Sequence, residues 1–317
     1  MSFLFGPVNS RRLGLSLGVD IIPYKTCTFD CIYCELGRTT DLTLERRPFQ
    51  VEAIIREIRE YFQNPPTIPD YVTLAGSGEP TLNTGIGEIL KAVKETTPRP
   101  AAVLTNGSLL YRPEVRQALA LADVVLPSLD AAREETFHRL NRPAPGLNLP
   151  MILTGLKTFR QEYAGRIWLE IMLLKGINDQ EDDLAALKRE IEGIAPDRIQ
   201  LNTAVRPVAE SWAQPLSRSE MEAVAAYLGA GAEIIAAFDR PKCTDTVVTD
   251  ITLVNMLSRR PMTAQDLASA LGLPLPQVEK HLHRLLAAGL ISRDLYQNKG
   301  FYRSEPQARV NQGHKGP

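Results

Sequence analysis

The sequence predicts an α/β protein built on a parallel sheet, followed by a smaller C-terminal domain. Three observations indicate this. Apolar, β-rich runs alternate with helical patterns over the first 240 residues, the pattern changes near Val248 to short helices and a hairpin, and the charge balance changes at the same place. With 317 residues and 44% hydrophobic content, the chain can bury a large core and a second, smaller one.

Six successive strand–helix units make up the body of the chain. Strands are expected at residues 17–22, 71–76, 101–106, 123–130, 166–174 and 198–203. Helical stripes lie between them, the first formed by Val51, Ile54, Ile55, Ile58 and Phe62, and a short apolar run at 232–238 ends the body. Such units form a parallel sheet through right-handed crossovers. Eight units would close a full barrel, whereas six fit an open, partial barrel or a flat doubly wound sheet, which periodicity alone does not separate.

The region after Val248 predicts three short helices and a hairpin. The first helix lies before Pro261, Thr263 caps the second, and Pro276 opens the third. The stretch "ISRDLYQNKGFYRS" predicts two strands that turn at Asn298–Gly300. This order of elements resembles a winged helix-turn-helix domain.

Charge divides the chain at the same boundary. From Val248 onward there are nine Lys and Arg against five Asp and Glu, which leaves the body at −5 within a formal net charge of −1. We therefore expect two domains, 1–240 and 248–304, with a disordered tail at 305–317. Positive and polar side chains fall on the third helix and the hairpin, namely Gln277, Lys280, His281, Arg284, Arg293, Lys299 and Arg303. Such charges could contact the phosphates of a nucleic acid, but their excess is modest, and winged helices also contact proteins or peptides, so both kinds of partner stay open.

Composition excludes several classes of protein. Four cysteines in a chain of this length do not form a disulfide scaffold. The N-terminus has no long apolar stretch typical of a signal peptide, and no apolar run approaches the ~18 residues that a membrane helix needs. We expect a cytoplasmic protein with no membrane partner.

Small and polar residues follow each expected strand. They occur in the segments "AGSGEPTLN", "LTNGS", "PSLDA", "LKGIND" and "LNTAVRP", and three cysteines follow the first strand. Because the carboxyl ends of parallel strands meet at one edge, these segments should converge on a single site.

Three of the four cysteines lie within the eight residues "CTFDCIYC". Thiolate is a soft ligand suited to zinc, copper(I) or an iron–sulfur cluster. A structural zinc ion needs four protein ligands, whereas a cube of four irons bound by three cysteines keeps one iron free for a small molecule. Two alternatives to an iron–sulfur cluster remain. The cysteines could be a set of reactive thiols, or they could bind a zinc ion whose fourth ligand is Cys243.

The motif Cys27-x-x-x-Cys31-x-x-Cys34, with Tyr33 before the last cysteine, resembles the signature of the radical S-adenosylmethionine superfamily. "GSGEP" (Gly76–Pro80) resembles that family's glycine-rich segment ending in Gly-Glu-Pro. "LTNG" and "SLD" resemble segments of the branch that contains the molybdenum-cofactor cyclase and the wyosine-type tRNA-modifying synthases. The resemblance covers residues 17–240 and implies a partial barrel of six parallel strands.

The resemblance also implies cofactors and their ligands. Cys27, Cys31 and Cys34 would hold a [4Fe-4S] cluster, and S-adenosylmethionine would bind its free iron and be cleaved to a 5′-deoxyadenosyl radical. Contacts to that nucleotide are expected from Tyr33, Gly76, Ser77, Gly78, Glu79, Asn106, Ser128 and Asp130, with Asn178 and Arg206 as weaker candidates. The electron would come from a flavodoxin- or ferredoxin-like donor.

Three functions fit these observations. The first is a radical enzyme acting on RNA or a nucleotide, and the second is the same chemistry on a peptide or protein. The third is a non-enzymatic iron–sulfur regulator that binds DNA. Such a regulator would not require the Gly-Glu-Pro segment. The chain has no cysteine before Cys27 for a second cluster, so the wyosine reaction itself is not expected.

Overall fold

The computed structural model describes residues 2–229, 231–236 and 250–305, so Cys243 and residues 306–317 of the predicted tail lie outside it. The strands are β1 (Leu4–Ser10), β2 (Gly14–Asp20), β3 (Thr26–Cys27), β4 (Asp41–Leu42), β5 (Tyr71–Ala75), β6 (Ala101–Thr105), β7 (Val124–Pro127), β8 (Arg166–Leu173), β9 (Arg198–Thr203), β10 (Ala232–Ile234), β11 (Met262–Thr263), β12 (Ile291–Tyr296) and β13 (Lys299–Ser304). The helices are α1 (Val51–Gln63), α2 (Ile86–Thr96), α3 (Pro113–Leu119), α4 (Glu134–Asn141), α5 (Leu149–Glu162), α6 (Glu181–Ile194), α7 (Arg218–Leu228), α8 (Asp250–Leu257), α9 (Ala264–Leu271) and α10 (Leu275–Ala287), with a 3₁₀ turn at Pro80–Leu82.

The body is an open sheet whose strands follow one another in chain order. Across the sheet the order is β1-β2-β5-β6-β7-β8-β9-β10, and each neighbouring pair from β2 to β10 is parallel. A doubly wound sheet reverses its strand order at a switch point, and this sheet does not. The predicted partial barrel is therefore confirmed, with β10 as a seventh parallel strand.

The two faces of the sheet have different chemistry because side chains alternate along each strand. Val19, Val72 and Leu74 point outward into the main core, which also contains residues of α1 to α7. The inner face is partly polar: the hydroxyl groups of Ser16 and Thr73 lie 2.6 Å apart on neighbouring strands. An apolar cluster on the inner side contains Leu13, Ala102, Val124, Leu126 and Trp168.

The N-terminal part differs from the prediction. β1 was not expected; it pairs antiparallel to β2, with a register shift between Phe5 and Val8 beside the Gly6–Pro7 step that breaks its pattern. The first parallel strand was predicted at 17–22 but is Gly14–Asp20. The prediction included Ile21 and Ile22 because they are apolar. In the structure both are buried in the core, but they lie just after the last residue of β2.

The C-terminal region contains the predicted three helices and a three-stranded sheet in the order β11-β13-β12. Thr263 caps α9 through a reciprocal pair of hydrogen bonds with Asp266. The predicted turn at Asn298–Gly300 was wrong by one residue. Gln297 and Asn298 adopt left-handed conformations in a two-residue turn, and Gly300 already pairs with Leu295.

The C-terminal helices pack against β1. Val8 belongs to their core, and the side-chain amide of Asn9 donates to the carbonyl oxygen of Ser269 at 2.8 Å. The hydroxyl group of Tyr296 donates to the carbonyl oxygen of Ala204 at 3.3 Å, beyond the end of β9. The inner side of the barrel thus faces the C-terminal region. Within the described residues, the helices are too short or too polar to traverse a bilayer.

Candidate active site

The three clustered cysteines lie in the loop that follows the first parallel strand. Cys27 ends β3, which pairs with β4, and the backbone N–H of Cys34 donates to the carbonyl oxygen of Cys31 at 3.1 Å. All three cysteines are free thiols of intermediate burial. The loop therefore presents three sulfur atoms at the carboxyl edge of the sheet.

Each sulfur has its own nitrogen donor, and the three donors come from different parts of the chain. The side-chain amide of Asn106 lies 3.7 Å from the sulfur of Cys27, and that of Asn141 lies 3.5 Å from the sulfur of Cys31. The third donor is the ammonium group of Lys25, 3.1 Å from the sulfur of Cys34. N–H donors aimed at sulfur stabilise thiolates and tune the potential of iron–sulfur clusters.

Without a metal, the protein disfavours ionised thiols. Burial raises the pKa of Cys27 to about 12, and the carboxylate of Glu79 adds to this shift. Burial also raises the pKa of Cys31, with Cys27 as the next cause. Binding of a metal cluster would therefore release protons from these two thiols.

Gly78 brings the "GSGEP" segment against the cysteine loop. A Cβ atom on Gly78 would lie 1.9 Å from the carbonyl oxygen of Thr26, which accepts a hydrogen bond from the backbone N–H of Glu79 at 3.0 Å. Gly76 is similarly close to Ile22, where a Cβ atom would lie 2.4 Å from a methyl group. Only glycine allows these two loops to meet at this distance.

Glu79 is buried beneath the site and bonded on both carboxylate oxygens. One oxygen accepts from the hydroxyl groups of Thr81 and Thr105 and from the backbone N–H of Thr81, and the other accepts from the backbone N–H of Asn106 at 2.7 Å. Burial nevertheless raises its pKa. Glu79 therefore fixes Asn106, which in turn contacts Cys27. Its predicted contact with the nucleotide stays a prediction.

Tyr33 and Asp130 form a second buried group beside Cys31. The phenol of Tyr33 donates to the carboxylate of Asp130, as do the side-chain amide of Asn141 at 2.9 Å and the backbone N–H of Met172 at 2.8 Å. Burial raises the pKa of Asp130 to about 6. Asn178 supports this group by donating to the backbone oxygen of Asp130 at 2.8 Å.

The remaining predicted residues lie in three places. Ser128 follows β7 and shares a small cavity with Asn106 and Asp130. Ser77 turns toward the barrel interior, where its backbone N–H and hydroxyl group both donate to Asp20. Arg206 is fully buried and donates to Glu35, directly after the last cysteine of the motif.

Lys25 and Asn141 are candidate site residues that the sequence analysis did not find. Lys25 is only 3% exposed and has a left-handed backbone (φ 60°). Its position two residues before Cys27 is the one sequence signal for a role at the site, and that signal is weak. Asn141 ends α4, more than 100 residues after the cysteines. No local pattern connects Asn141 with Cys31.

The donor set suits an iron–sulfur cluster. Within the described ranges, no three His, Cys, Asp or Glu side chains are placed to hold one metal ion together. In a [4Fe-4S] cube each cysteine binds a different iron, so the sulfurs need not meet at one point. Three thiols, each with a separate nitrogen donor, suit that arrangement.

Comparisons with known sequences agree with this chemistry. The profile of the radical SAM superfamily matches residues 21–187, and that of a helix-turn-helix domain matches residues 252–293. The chain is 37% identical over 297 residues to a protein named GTPase Obg from Brachyspira hyodysenteriae, covering 92% of this chain but only 44% of that protein's length. It is 38% identical to a UPF0026 protein of Synechocystis, covering 86% of this chain and 94% of the relative.

Two further similarities bear on the branch and the fold. A GTP 3′,8-cyclase of Limosilactobacillus fermentum is 26% identical, over 49% of this chain and 45% of its own, in agreement with the predicted branch. The structure of Streptococcus suis SuiB bound to S-adenosylmethionine superposes with a TM-score of 0.53 at 18% identity, over 70% of this chain and 50% of that one. This likeness concerns the fold alone. The profile matches more than half of the residues, and the chain belongs to the radical SAM superfamily.

Proposed function

We propose that the protein cleaves S-adenosylmethionine reductively and uses the resulting radical to remove a hydrogen atom from a nucleotide or RNA substrate. Cys27, Cys31 and Cys34 would hold the [4Fe-4S] cluster, which supplies the electron for this cleavage when bound and reduced. The observation that carries the proposal is the pairing of each sulfur with its own nitrogen donor.

The surrounding residues have positioning roles in this proposal. Asn106 is fixed by Glu79, and Asn141 is fixed by Asp130, so two of the three donors are held by buried carboxylates. Gly78 keeps the Gly-Glu-Pro segment against the cysteine loop. Tyr33 and Ser128 lie at the same edge, where contacts to the nucleotide are proposed. A flavodoxin- or ferredoxin-like protein would deliver the electron.

The direct test is anaerobic. Purified protein is loaded with iron and sulfide, reduced with dithionite and mixed with S-adenosylmethionine, and 5′-deoxyadenosine is measured. We expect wild-type protein to form it and C31A to form none, with less iron bound. C243S is the matched control and should behave as wild type. Loss of metal in C243S would instead support the zinc alternative, and a fully loaded wild-type cluster that leaves the nucleotide intact would refute the proposal.

A peptide or protein substrate is the second candidate, since the helix-turn-helix region also fits a partner module. RNA that copurifies with the protein and becomes modified in the loaded reaction would support the first candidate. Modification confined to a bound peptide would support the second. Cluster-dependent binding to duplex DNA without cleavage of S-adenosylmethionine would support the regulator.

A further inference from the structure

A cavity of about 240 Å³ lies inside the barrel, next to the segment that follows α8. Its walls come from β1, β2, β5 and β6 on one side and from Arg259 and Arg260 on the other. Gly76 and Ser77 of the "GSGEP" segment form part of the same wall.

Four arginines line this cavity together with one acidic residue. The arginines are Arg11, Arg12, Arg259 and Arg260, and the acidic residue is Asp20. Arg12 pairs with Glu170 on β8, and the Nε of Arg259 lies 3.6 Å from a carboxylate oxygen of Asp20. Arg11 donates to the side-chain oxygen of Asn202 and the carbonyl oxygen of Ile235. Two of the four positive charges are therefore neutralised by adjacent carboxylates.

Arg260 differs from the other three. It is partly buried, and across the described part of the chain its guanidinium makes no hydrogen bond and no ion pair. Burial, and then the positive charge of Arg206, lower the pKa of Arg260 to about 9. The same two causes lower the pKa of Arg11 to about 10. Arg11 and Arg260 therefore remain positively charged at neutral pH, and their charges repel each other.

The carboxylate that attracts Arg260 is already bonded to another arginine. Glu35 is bonded to Arg206; burial would raise its pKa, but the charges of Arg206, Arg260 and Arg11 outweigh burial and hold the pKa below its ordinary value. Leaving an arginine without a partner among other arginines is costly unless an anion binds there. Guanidinium groups suit phosphate because they offer several N–H donors in a plane.

We propose that this cavity binds a phosphate group of the substrate, with Arg260 as its principal ligand and Arg11 as a second. The role in substrate binding rests on the proposed function; the binding of phosphate itself does not. In this arrangement the C-terminal region contributes to the substrate site directly, because Arg259 and Arg260 follow α8. A carboxylate-bearing peptide is the competing occupant.

The test is a binding titration on the anaerobically loaded protein, with uridine 5′-monophosphate and uridine as probes. They differ only in the phosphate. We expect the monophosphate to bind at least tenfold more tightly than uridine, inorganic phosphate to displace it, and R260Q to weaken its binding about tenfold or more, whereas R260K recovers part of the loss. R218Q, at an exposed position on α7, is the matched control and should bind as wild type.

Thermal unfolding of the ligand-free protein gives a second readout. Within the described residues Arg260 makes no hydrogen bond or ion pair, and the repulsion from Arg206 exceeds the attraction from Glu35, so R260Q should unfold at the same temperature as wild type or higher. A clear fall in melting temperature would mean that Arg260 is structural and would overturn the proposal. Equal binding of uridine and its monophosphate would do the same, as would displacement by glutarate but not by phosphate, or a loss of binding in R218Q but not in R260Q.

Cleavage of S-adenosylmethionine is measured in the same preparations to keep the two proposals apart. Cleavage without binding of the monophosphate would refute the phosphate site only. Binding that depends on Arg260, without cleavage, would refute the proposed function only.

Discussion

The ammonium group of Lys25 lies 3.1 Å from the sulfur of Cys34, inside a loop that exposes 3% of the lysine. The backbone of Lys25 is fixed as well: its N–H donates to the carbonyl oxygen of Ser77, and its own carbonyl oxygen accepts from Thr40 and Asp41. A fixed positive charge is thus held beside one of the three proposed cluster ligands.

The positive charge of Lys25 should raise the reduction potential of a cluster bound by the three cysteines. A cation beside a cluster stabilises its reduced, more negative form. We expect K25M to shift the midpoint potential to more negative values by roughly 60 mV or more, the one-electron equivalent of a tenfold change in equilibrium constant. K25R should stay near wild type. Redox titration followed by electron paramagnetic resonance measures the shift, and identical potentials for K25M and wild type would contradict the prediction.

Gly78 should be indispensable for joining its segment to the cysteine loop. In G78A the new methyl group would meet the carbonyl oxygen of Thr26, so we expect a loss of about 1–3 kcal/mol in the free energy of unfolding and a lower iron content. G87A in α2 is the matched control, because its Cβ atom would meet Ala118 at an ordinary 3.4 Å. Urea denaturation and iron analysis of both variants provide the check. The same unfolding free energy and iron content in G78A and G87A would contradict the prediction.

Asp130 should make stability depend on pH in the metal-free protein. Burial raises its folded-state pKa to about 6, above the ~3.9 of an unfolded chain. Its contribution to stability is therefore fully present below pH ~4 and lost as the pH rises to about 6, a change of roughly 3 kcal/mol. The difference in unfolding free energy between wild type and D130N should fall over this window and then stay constant.

The opposite slope would contradict this expectation for Asp130. A difference that grows with pH would mean that the donors from Tyr33, Asn141 and Met172 outweigh burial. Denaturation curves at several pH values, with both proteins free of metal, distinguish the two outcomes.

Val8 should stabilise the C-terminal region although it belongs to β1. Val8 and Val254 are buried in the same core to a similar degree, 8% and 7% exposed. We expect V8A and V254A each to cost about 1–3 kcal/mol in that region, since each removes buried methyl groups. Native-state hydrogen exchange of the amides in α9 and β13 measures the effect. If V8A left these amides unchanged, β1 would not be part of that core.

The sequence was most informative where the signal is local. Three cysteines lie within eight residues, and the buried apolar stripe of α1 repeats at helical spacing, so both could be found without the fold. Curvature of the sheet was not accessible in this way. A partial barrel and a flat doubly wound sheet are built from the same alternating strand–helix units, and they differ in strand order, which periodicity does not specify.

Contacts between distant segments account for what was missed. Lys25 and Asn141 reach the cysteines from different loops, and β1 lacks a clean alternating pattern because of Gly6 and Pro7. The proposed contacts of Ser128 and Glu79 to a nucleotide remain predictions. The arginine-lined cavity could not be predicted from the sequence either, because Arg11 and Arg260 are separated by most of the chain.

The packing of β1 against α9 has a consequence for biosynthesis. The strand made among the first residues completes its core only with partners made after residue 250. A ribosome-bound chain that already carries the cysteine loop would therefore still lack one wall of the arginine-lined chamber. Metal loading and substrate capture should become separable in time, with the second waiting for the C-terminal helices to emerge and dock.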